Sequence, residues 1–394
     1  MPVKSDSYLS RGVSATKEDV KKAVSGQSRG EFPGSFCKII PDPAGDPAWC
    51  AAMHADGAGT KSSVAYLMYR ETGNPGWFSG IAQDSLVMNT DDLLCIGAAD
   101  HFYVSNTIGR NAHRVDANCL AALISGYDNV ITRLQDAGIH ITMTGGETAD
   151  VGDLVRTVIC DSTVFVRLER SQVIDASQIK PGLAIIGLSS TGQLSDENRE
   201  NSGMGSNGLT AARHLLLHGD YRDRYPESFS DTLPSDKAYN GRWQLADHLP
   251  GSSLTVGEAI LSPTRSYLPI IKDMLALPEH GIQALIHCTG GGQAKCRDFG
   301  HGIRYVKDNL FDMPPLFAAI EASGQISREE MYQVFNMGHR LEIYCEEPFI
   351  DRLLNVCAQH GLAAQVIGHT ERAADPNHNA VLIRDDRQVY EYFA

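Results

Sequence analysis

Apolar positions along the chain keep two rhythms. After Asp116, a residue suited to a helix N-cap, Leu120, Leu123, Ile124, Tyr127, Ile131 and Leu134 recur every three or four residues up to Gly138. This spacing predicts an amphipathic helix stopped by a glycine. Further helices are predicted over 79–95, 209–218, 264–277 and 348–360, and Thr16 with Asp19 predicts a short one over Val20 and Val24. Short apolar runs at 49–54, 139–144, 155–159, 163–168, 183–188, 282–287, 341–345 and 364–368 read as strands. Residues 30–47 form a Gly- and Pro-rich loop, and 220–253 is a polar, aromatic excursion without a period. The pattern restarts after the turn Lys180-Pro181-Gly182. We therefore expect an α/β or α+β protein of two domains, 1–169 and 170–394.

Composition narrows the class. With 394 residues, 42% hydrophobic and 21% charged, the chain can bury a core, which excludes a disordered chain, a collagen or a disulfide mini-protein. No apolar run approaches the ~20 residues of a membrane helix. The opening Met-Pro-Val-Lys-Ser-Asp-Ser lacks the apolar stretch of a secretion signal. A net charge of -14 argues against a general nucleic-acid binder and suits divalent cations. Nine widely spaced cysteines without a C-x-x-C fit a reducing cytoplasm.

Five stretches carry candidate chemistry. Asp56-Gly57-Ala58-Gly59-Thr60-Lys61 follows a predicted strand. Its glycines let the backbone close on a phosphate and its lysine adds charge. It lacks the Walker spacing, and a tight turn with a surface lysine fits the same residues. Asp84 and Asp91 are two turns apart on one helix face, and Asp92 is rotated from them by ~100°. Their apolar neighbours make them candidates for a divalent cation, against a solvated acidic face. Gly145-Gly146-Glu147-Thr148-Ala149-Asp150 sets a carboxylate at a strand's C-terminal end. Gly203–Gly208 matches G-x-G-x-x-G, yet the polar 195–202 before it argues against a dinucleotide site. Ser206-Asn207-Gly208 opens a helix whose free N–H groups can hold an anion. His287-Cys288-Thr289-Gly290-Gly291-Gly292 is another strand-to-glycine turn.

In this order the stretches resemble aminoimidazole ribonucleotide synthetase, also called phosphoribosylformylglycinamidine cyclo-ligase. Asp56–Lys61 is similar to its D-G-x-G-T-K, Asp91-Asp92-Leu93 with Gly97-Ala98 to its N-D-L…G-A, and Gly145–Ala149 to its G-G-E-T-A. Ser206-Asn207-Gly208, Leu261-Ser262-Pro263-Thr264-Arg265-Ser266-Tyr267, Thr289–Gly292 and Glu330–Gly338 follow in the family's order. The P-T-R-x-Y and M-Y-x-x-F-N-x-G segments favour the cyclo-ligase over other members of its superfamily.

The resemblance implies an N-terminal domain whose strands pair into a barrel across a homodimer. It implies a C-terminal α/β domain, with the site in the cleft between domains and partly built by the partner subunit. It implies ATP-dependent closure of formylglycinamidine ribonucleotide to aminoimidazole ribonucleotide in purine biosynthesis, through an iminophosphate. Mg²⁺ is expected on Asp56 and Asp92, with Asp84 and Asp91 as nearby candidates. ATP is expected against Asp56, Gly57, Gly59, Thr60, Lys61, Gly145, Gly146, Glu147 and Thr148. The phosphorylated ribonucleotide is expected against Ser206, Asn207, Gly208, Thr289, Gly290 and Gly291. Lys61, Asp92 and Asn207 are the expected catalytic groups; Pro263, Arg265, Tyr267 and Asn336 can equally support the fold. The implied enzyme is cytoplasmic, without nucleic-acid or membrane partners.

The chain also departs from the family. Gly205 stands where the family has His, after a longer 193–204 segment, so His214, His287 or His339 must supply any imidazole. Asp91 replaces Asn, the glycine-rich flap shrinks to 30–38, and the usual Val-Gly becomes His339-Arg340. The competing readings are a thiamine-phosphate kinase, a hydrogenase-maturation enzyme and a nucleotide-binding paralogue without turnover. The maturation enzyme relies on a C-terminal cysteine, whereas this chain ends Tyr390-Glu391-Tyr392-Phe393-Ala394.

Overall fold

The computed structural model describes residues 6–15 and 18–394. Two sheets organise the chain. The first contains β1 (Ile39–Pro41), β2 (Trp49–Gly57), β3 (Phe102–Arg110), β4 (Ile141–Asp150) and β5 (Val158–Glu169) in the order β1-β2-β5-β3-β4. β3 and β4 run parallel and the other neighbours antiparallel. Next come β6 (Ala184–Ser189) and a two-strand ribbon, β7 (Thr191–Gly192) with β8 (Asn201–Ser202). With β6, the strands β9 (Ile282–His287), β10 (Ile303–Lys307), β11 (His339–Cys345), β12 (Ala364–Arg372), β13 (Ala380–Arg384) and β14 (Val389–Phe393) make the second sheet, ordered β14-β13-β10-β12-β6-β11-β9.

The helices α1 (Asp6–Leu9) and α2 (Glu18–Val24) lead the chain, α1 touching Glu330 and α2 Asp298 of the second domain, and α3 (Lys61–Thr72), α4 (Ser79–Leu94) and α5 (Ala117–Asp136) accompany the first sheet. α6 (Leu209–Leu216), α7 (Asp220–Arg224), α8 (Val256–Ile260), α9 (Leu268–Leu275), α10 (Pro315–Glu321), α11 (Arg328–Val334) and α12 (Ile350–Gln359) accompany the second. No helix among the described residues is long and apolar enough to cross a membrane. All nine cysteines are buried and unpaired.

Side-chain alternation gives the first sheet two faces. Val158, Cys160, Ser162, Val164, Val166 and Leu168 of β5 point inward and are buried under α4 and α5. Asp116 caps α5 by accepting hydrogen bonds from the amides of Asn118 and Cys119. The two helices touch so closely that a Cβ on Gly126 would lie 2.3 Å from the Ser79 carbonyl oxygen. α4 is buried on nearly every side, because its far face meets the 262–267 segment and β9. The outer face of the sheet is uncovered and apolar: Met53, Tyr103 and Ile159 are 63%, 46% and 42% exposed. Met53, Phe165 and Tyr103 lie opposite one another on three adjacent strands.

Several elements differ from the sequence expectation. The apolar runs at 155–159 and 163–168 belong to one long strand, β5. The Gly145–Asp150 stretch lies inside β4 instead of after it, as an exposed edge paired to β3. The helix expected from 264 begins at Leu268, since Pro269 has no amide with which to bond a carbonyl one turn back. Thr16, the expected cap of the first helix, lies outside the described residues.

Candidate active site

Three carboxylates stand at one end of the first sheet. The register aligns Gly57, Asp161, Thr107 and Glu147 across β2, β5, β3 and β4. Glu147 and Asp161 therefore share a face, two strand spacings (~10 Å) apart. The Asp161 carboxyl rests on Gly57, where a Cβ would fall 1.8 Å from its Oδ1; that contact is why the D-G pair needs its glycine. Asp56 is exposed beside it and accepts from the Gly57 amide at 2.7 Å. Burial, and then the charge of Asp56, raise the Asp161 carboxyl above its ordinary value. Among the described residues none of the three acids has a cationic partner.

A hydrogen-bond chain runs from there into the second domain. The Asn89 side chain donates to the Asp56 carbonyl at 3.0 Å and faces His54 Nδ1 at 2.9 Å. His54 Nε2 lies 3.4 Å from Asp92 Oδ2, and His287 Nδ1 lies 2.6 Å from Asp92 Oδ1. Asp92 sits in the last turn of α4 and is 6% exposed. Burial alone would raise its carboxyl. The His287 hydrogen bond and the charges of His287, Lys295 and His54 outweigh burial and hold it below the ordinary value. Burial lowers the His287 imidazole below its ordinary value despite the carboxylate.

The Thr289–Gly292 turn leaves the end of β9 beside this pair. Lys295 donates to Thr289 Oγ1 at 3.3 Å and stands 4.7 Å from the Phe36 ring centroid, and Phe36 stacks on Phe299. The reduced flap thus folds onto the second domain, with the Cys37 thiol donating to the Asp92 carbonyl. Gly208 opens α6 at φ +77°, and a Cβ there would meet Phe335 at 2.4 Å. The Thr60 and Thr210 hydroxyls pair at 3.0 Å and the Ser206 and Thr264 hydroxyls at 3.3 Å, bringing the Asp56–Lys61 loop to the helix start. A cavity of about 390 Å³ borders Thr60 and Thr210, with Arg156 and Arg213 on its wall. A second cavity, of about 420 Å³, lies apart from these groups near Asp308 and His369.

Three of the expected residues are committed elsewhere. Lys61 is fully buried, donating to Asp84 Oδ1 at 2.7 Å and to the Ser262 carbonyl at 2.5 Å. Asp84 Oδ1 also accepts from the Thr264 amide at 2.8 Å and hydroxyl at 2.5 Å. Asp91 accepts from Ser266 Oγ and the Tyr267 amide, and burial pushes its carboxyl up to about 7. These side chains staple the first domain to the 262–267 segment. Of the candidate imidazoles, His214 is buried beside Tyr239 and Phe229, and His339 bonds Glu342; His287 is the one that contacts Asp92. Two other groupings of ligand-type side chains already hold a cation: Lys272 on Asp100 beside His101 and His140, and Lys307 on Glu342 beside Cys288 and His339.

His54, Asp161 and Lys295 escaped the sequence reading. Asp161 had one visible signal, an acid on the outer face of an otherwise apolar alternation. His54 and Lys295 had none.

Residues 39–165 match the family model for AIR synthase related protein, N-terminal domain, and residues 180–378 that for its C-terminal domain. The phosphoribosylformylglycinamidine cyclo-ligase of Methanocaldococcus jannaschii is 26% identical over 331 residues, 84% of this chain and 81% of that protein. Among solved structures, T. maritima PurL complexed with FGAR aligns at a TM-score of 0.56 and 13% identity over 98% of this chain, which spans about half (51%) of that protein. AaThiL complexed with AMPPCP and TMP aligns at 0.53 and 10% identity over 96% of both chains. The fold, the order of motifs and both family matches agree: the chain belongs to the AIR synthase related protein family.

Proposed function

We propose that this protein closes the imidazole ring of a purine precursor, converting formylglycinamidine ribonucleotide and ATP into aminoimidazole ribonucleotide, ADP and phosphate. The observation that carries the reading is a single interdomain grouping. Asp56 lies at one end of it, a carboxylate held by two imidazoles (Asp92) in the middle, and Lys295 with the glycine turn on the far side, while Asp161 and Glu147 stand at the same end of the sheet on its outer face. The cyclo-ligase name of the M. jannaschii relative supports the reaction, and the AMPPCP bound by AaThiL supports a nucleoside triphosphate.

The three carboxylates offer hard oxygen donors, and the mutual repulsion of Asp56 and Asp161 fits a divalent cation. Asp56 and the neighbouring Asp161 are the groups that would hold Mg²⁺ with the nucleotide phosphates, where it would supply charge neutralisation at the γ-phosphoryl group, and Glu147, ~10 Å from Asp161, would face the nucleotide. Asp92 accepts from the substrate's amide N–H and so aims the amide oxygen at the γ-phosphorus. That oxygen forms the new P–O bond as ADP leaves. A nitrogen of the same substrate then bonds the activated carbon, the C–O bond breaks and phosphate departs. Lys295 takes the phosphate-facing role that the resemblance gave to Lys61, and Asn207 at the start of α6 holds the ribonucleotide phosphate. A second copy of the chain covers the apolar outer face around Met53, Phe165 and Tyr103, forming the expected homodimeric barrel.

The test supplies purified protein with formylglycinamidine ribonucleotide, ATP and Mg²⁺. We expect ADP, phosphate and a diazotisable aminoimidazole in equal amounts. ADP release with a different acceptor alone, or ATP binding without turnover, would contradict the proposal.

A further inference from the structure

Two departures from the family, Gly205 in place of His and Arg340 in place of Gly, are neighbours in space. A Cβ on Gly205 would lie 3.5 Å from Arg340 Cδ and 3.9 Å from its Nη1. The arginine side chain therefore lies against the face from which a residue at 205 would project. Arg340 is 2% exposed and held on several sides. Its Nη2 donates to the Arg265 carbonyl and lies 3.6 Å from Asp91 Oδ2, and its guanidinium carbon sits 5.0 Å from the Tyr267 ring centroid. Its Nε lies 3.1 Å from His287 Nε2.

A guanidinium has donors and no acceptor. His287 Nε2 must therefore present its lone pair, and the ring's one proton sits on Nδ1, 2.6 Å from Asp92 Oδ1. A doubly protonated ring would turn an N–H against the Arg340 Nε–H, so the contact also resists protonation of Nε2. We propose that Arg340 is a positioning residue: it locks His287 as the Nδ1–H tautomer, a one-way donor that aims the Asp92 carboxylate. His287 then does not replace the missing histidine as a proton carrier, because its second nitrogen is permanently occupied. The relay crosses the domain boundary, with Asp92 on α4, His287 at the end of β9 and Arg340 on the neighbouring β11. Docking of the two domains completes it. Its catalytic consequence rests on the role proposed above for Asp92; the tautomer does not.

The test is a long-range ¹H–¹⁵N correlation on full-length protein carrying ¹⁵N-labelled histidine, near neutral pH, with the His287 signals assigned by their loss in His287→Asn. The expected wild-type spectrum has a protonated Nδ1 and an unprotonated Nε2. Arg340→Lys, which keeps a pure donor, preserves that pattern, and Arg340→Met leaves the first proton on Nδ1 against Asp92 and opens Nε2 to a second one. In turnover, Arg340→Met lowers kcat by about 10- to 100-fold, the scale of losing an orienting partner, with KM for ATP within about threefold, and Arg340→Lys recovers most of the loss. A wild-type ring protonated on Nε2 or on both nitrogens overturns the proposal, as does an Nε2 in a folded Arg340→Met that takes up a proton no more readily than in wild type. Should Arg340→Met fail to fold, the wild-type and Arg340→Lys spectra decide. A protein with the expected tautomer and no cyclo-ligase turnover would refute the proposed function and leave the tautomer assignment standing.

Discussion

Lys61 lies in the family's best-known motif, yet the structure gives it a structural task that can be measured. Its ammonium and the Asp84 carboxylate are both fully buried, 2.7 Å apart, and each is completed from the second domain, by the Ser262 carbonyl and by the amide and hydroxyl of Thr264. Lys61→Met removes one charge and strands the other in a place water does not reach. Breaking a buried pair in this way costs about 3–5 kcal/mol, and Asp84→Asn should cost a similar amount by stranding the ammonium. In the double variant neither charge remains, the methionine fills the volume of the lysine stem, and the new amide still accepts from Thr264. Its destabilisation should therefore fall short of the sum of the singles by roughly 2–4 kcal/mol. Urea unfolding followed by the fluorescence of Trp49, Trp77 and Trp243 measures the cycle, with kcat and KM for ATP taken on the same samples. The double variant should keep turnover within about tenfold of wild type, since no group that meets substrate has changed. If Lys61→Met keeps wild-type stability while losing about a hundredfold or more in kcat, and the cycle shows no coupling, the lysine belongs at the phosphates and the structural reasoning fails.

Three further outcomes are expected. Asp161→Asn should raise the Mg²⁺ concentration for half-maximal turnover by about tenfold or more with an unchanged circular dichroism spectrum, because it removes the hard donor beside Asp56; an unaltered Mg²⁺ dependence would remove Asp161 from the metal set. Glu342 is fully buried: burial opposes its charge, but Lys307 and His339 hold its carboxyl at about 2, below the ordinary 4.5. That stability is present above pH 4.5 and lost as pH falls through 2, so wild type should lose about 3 kcal/mol more than Glu342→Gln between pH 5 and pH 2 in denaturant titrations. Met53→Glu combined with Phe165→Glu puts charges in the middle of the exposed sheet face and should give a monomer in sedimentation velocity, whereas a persistent dimer would place the interface elsewhere.

Legibility in the sequence followed the range of the interactions. α5 was readable because its cap and its apolar stripe are local, and β6, β9 and β11 because each is a short apolar run. β3, β10, β13 and β14, and the helices α3, α10 and α11, went unread; the partners of β3 and β10 lie far off in the chain, whereas β13 and β14 form a hairpin with each other. The acids show the same limit more sharply. Asp84, Asp91 and Asp92 look alike in a helical projection, but the first two are consumed by the 262–267 segment and the third by His54 and His287. Nothing within α4 announces partners that arrive from about two hundred residues downstream. Likewise, the replacement of His by Gly205 and the arrival of Arg340 read as two unrelated departures until the fold set them against each other.

The central claim is that a substrate amide oxygen, aimed by Asp92, attacks the γ-phosphorus of ATP in the interdomain cleft. The direct measurement uses formylglycinamidine ribonucleotide carrying ¹⁸O in that amide, with the released inorganic phosphate analysed by mass. The account predicts one ¹⁸O atom in each phosphate, and loss of this product in Asp92→Asn. Phosphate carrying only oxygen from ATP and water, with the ring nevertheless closed, would contradict it.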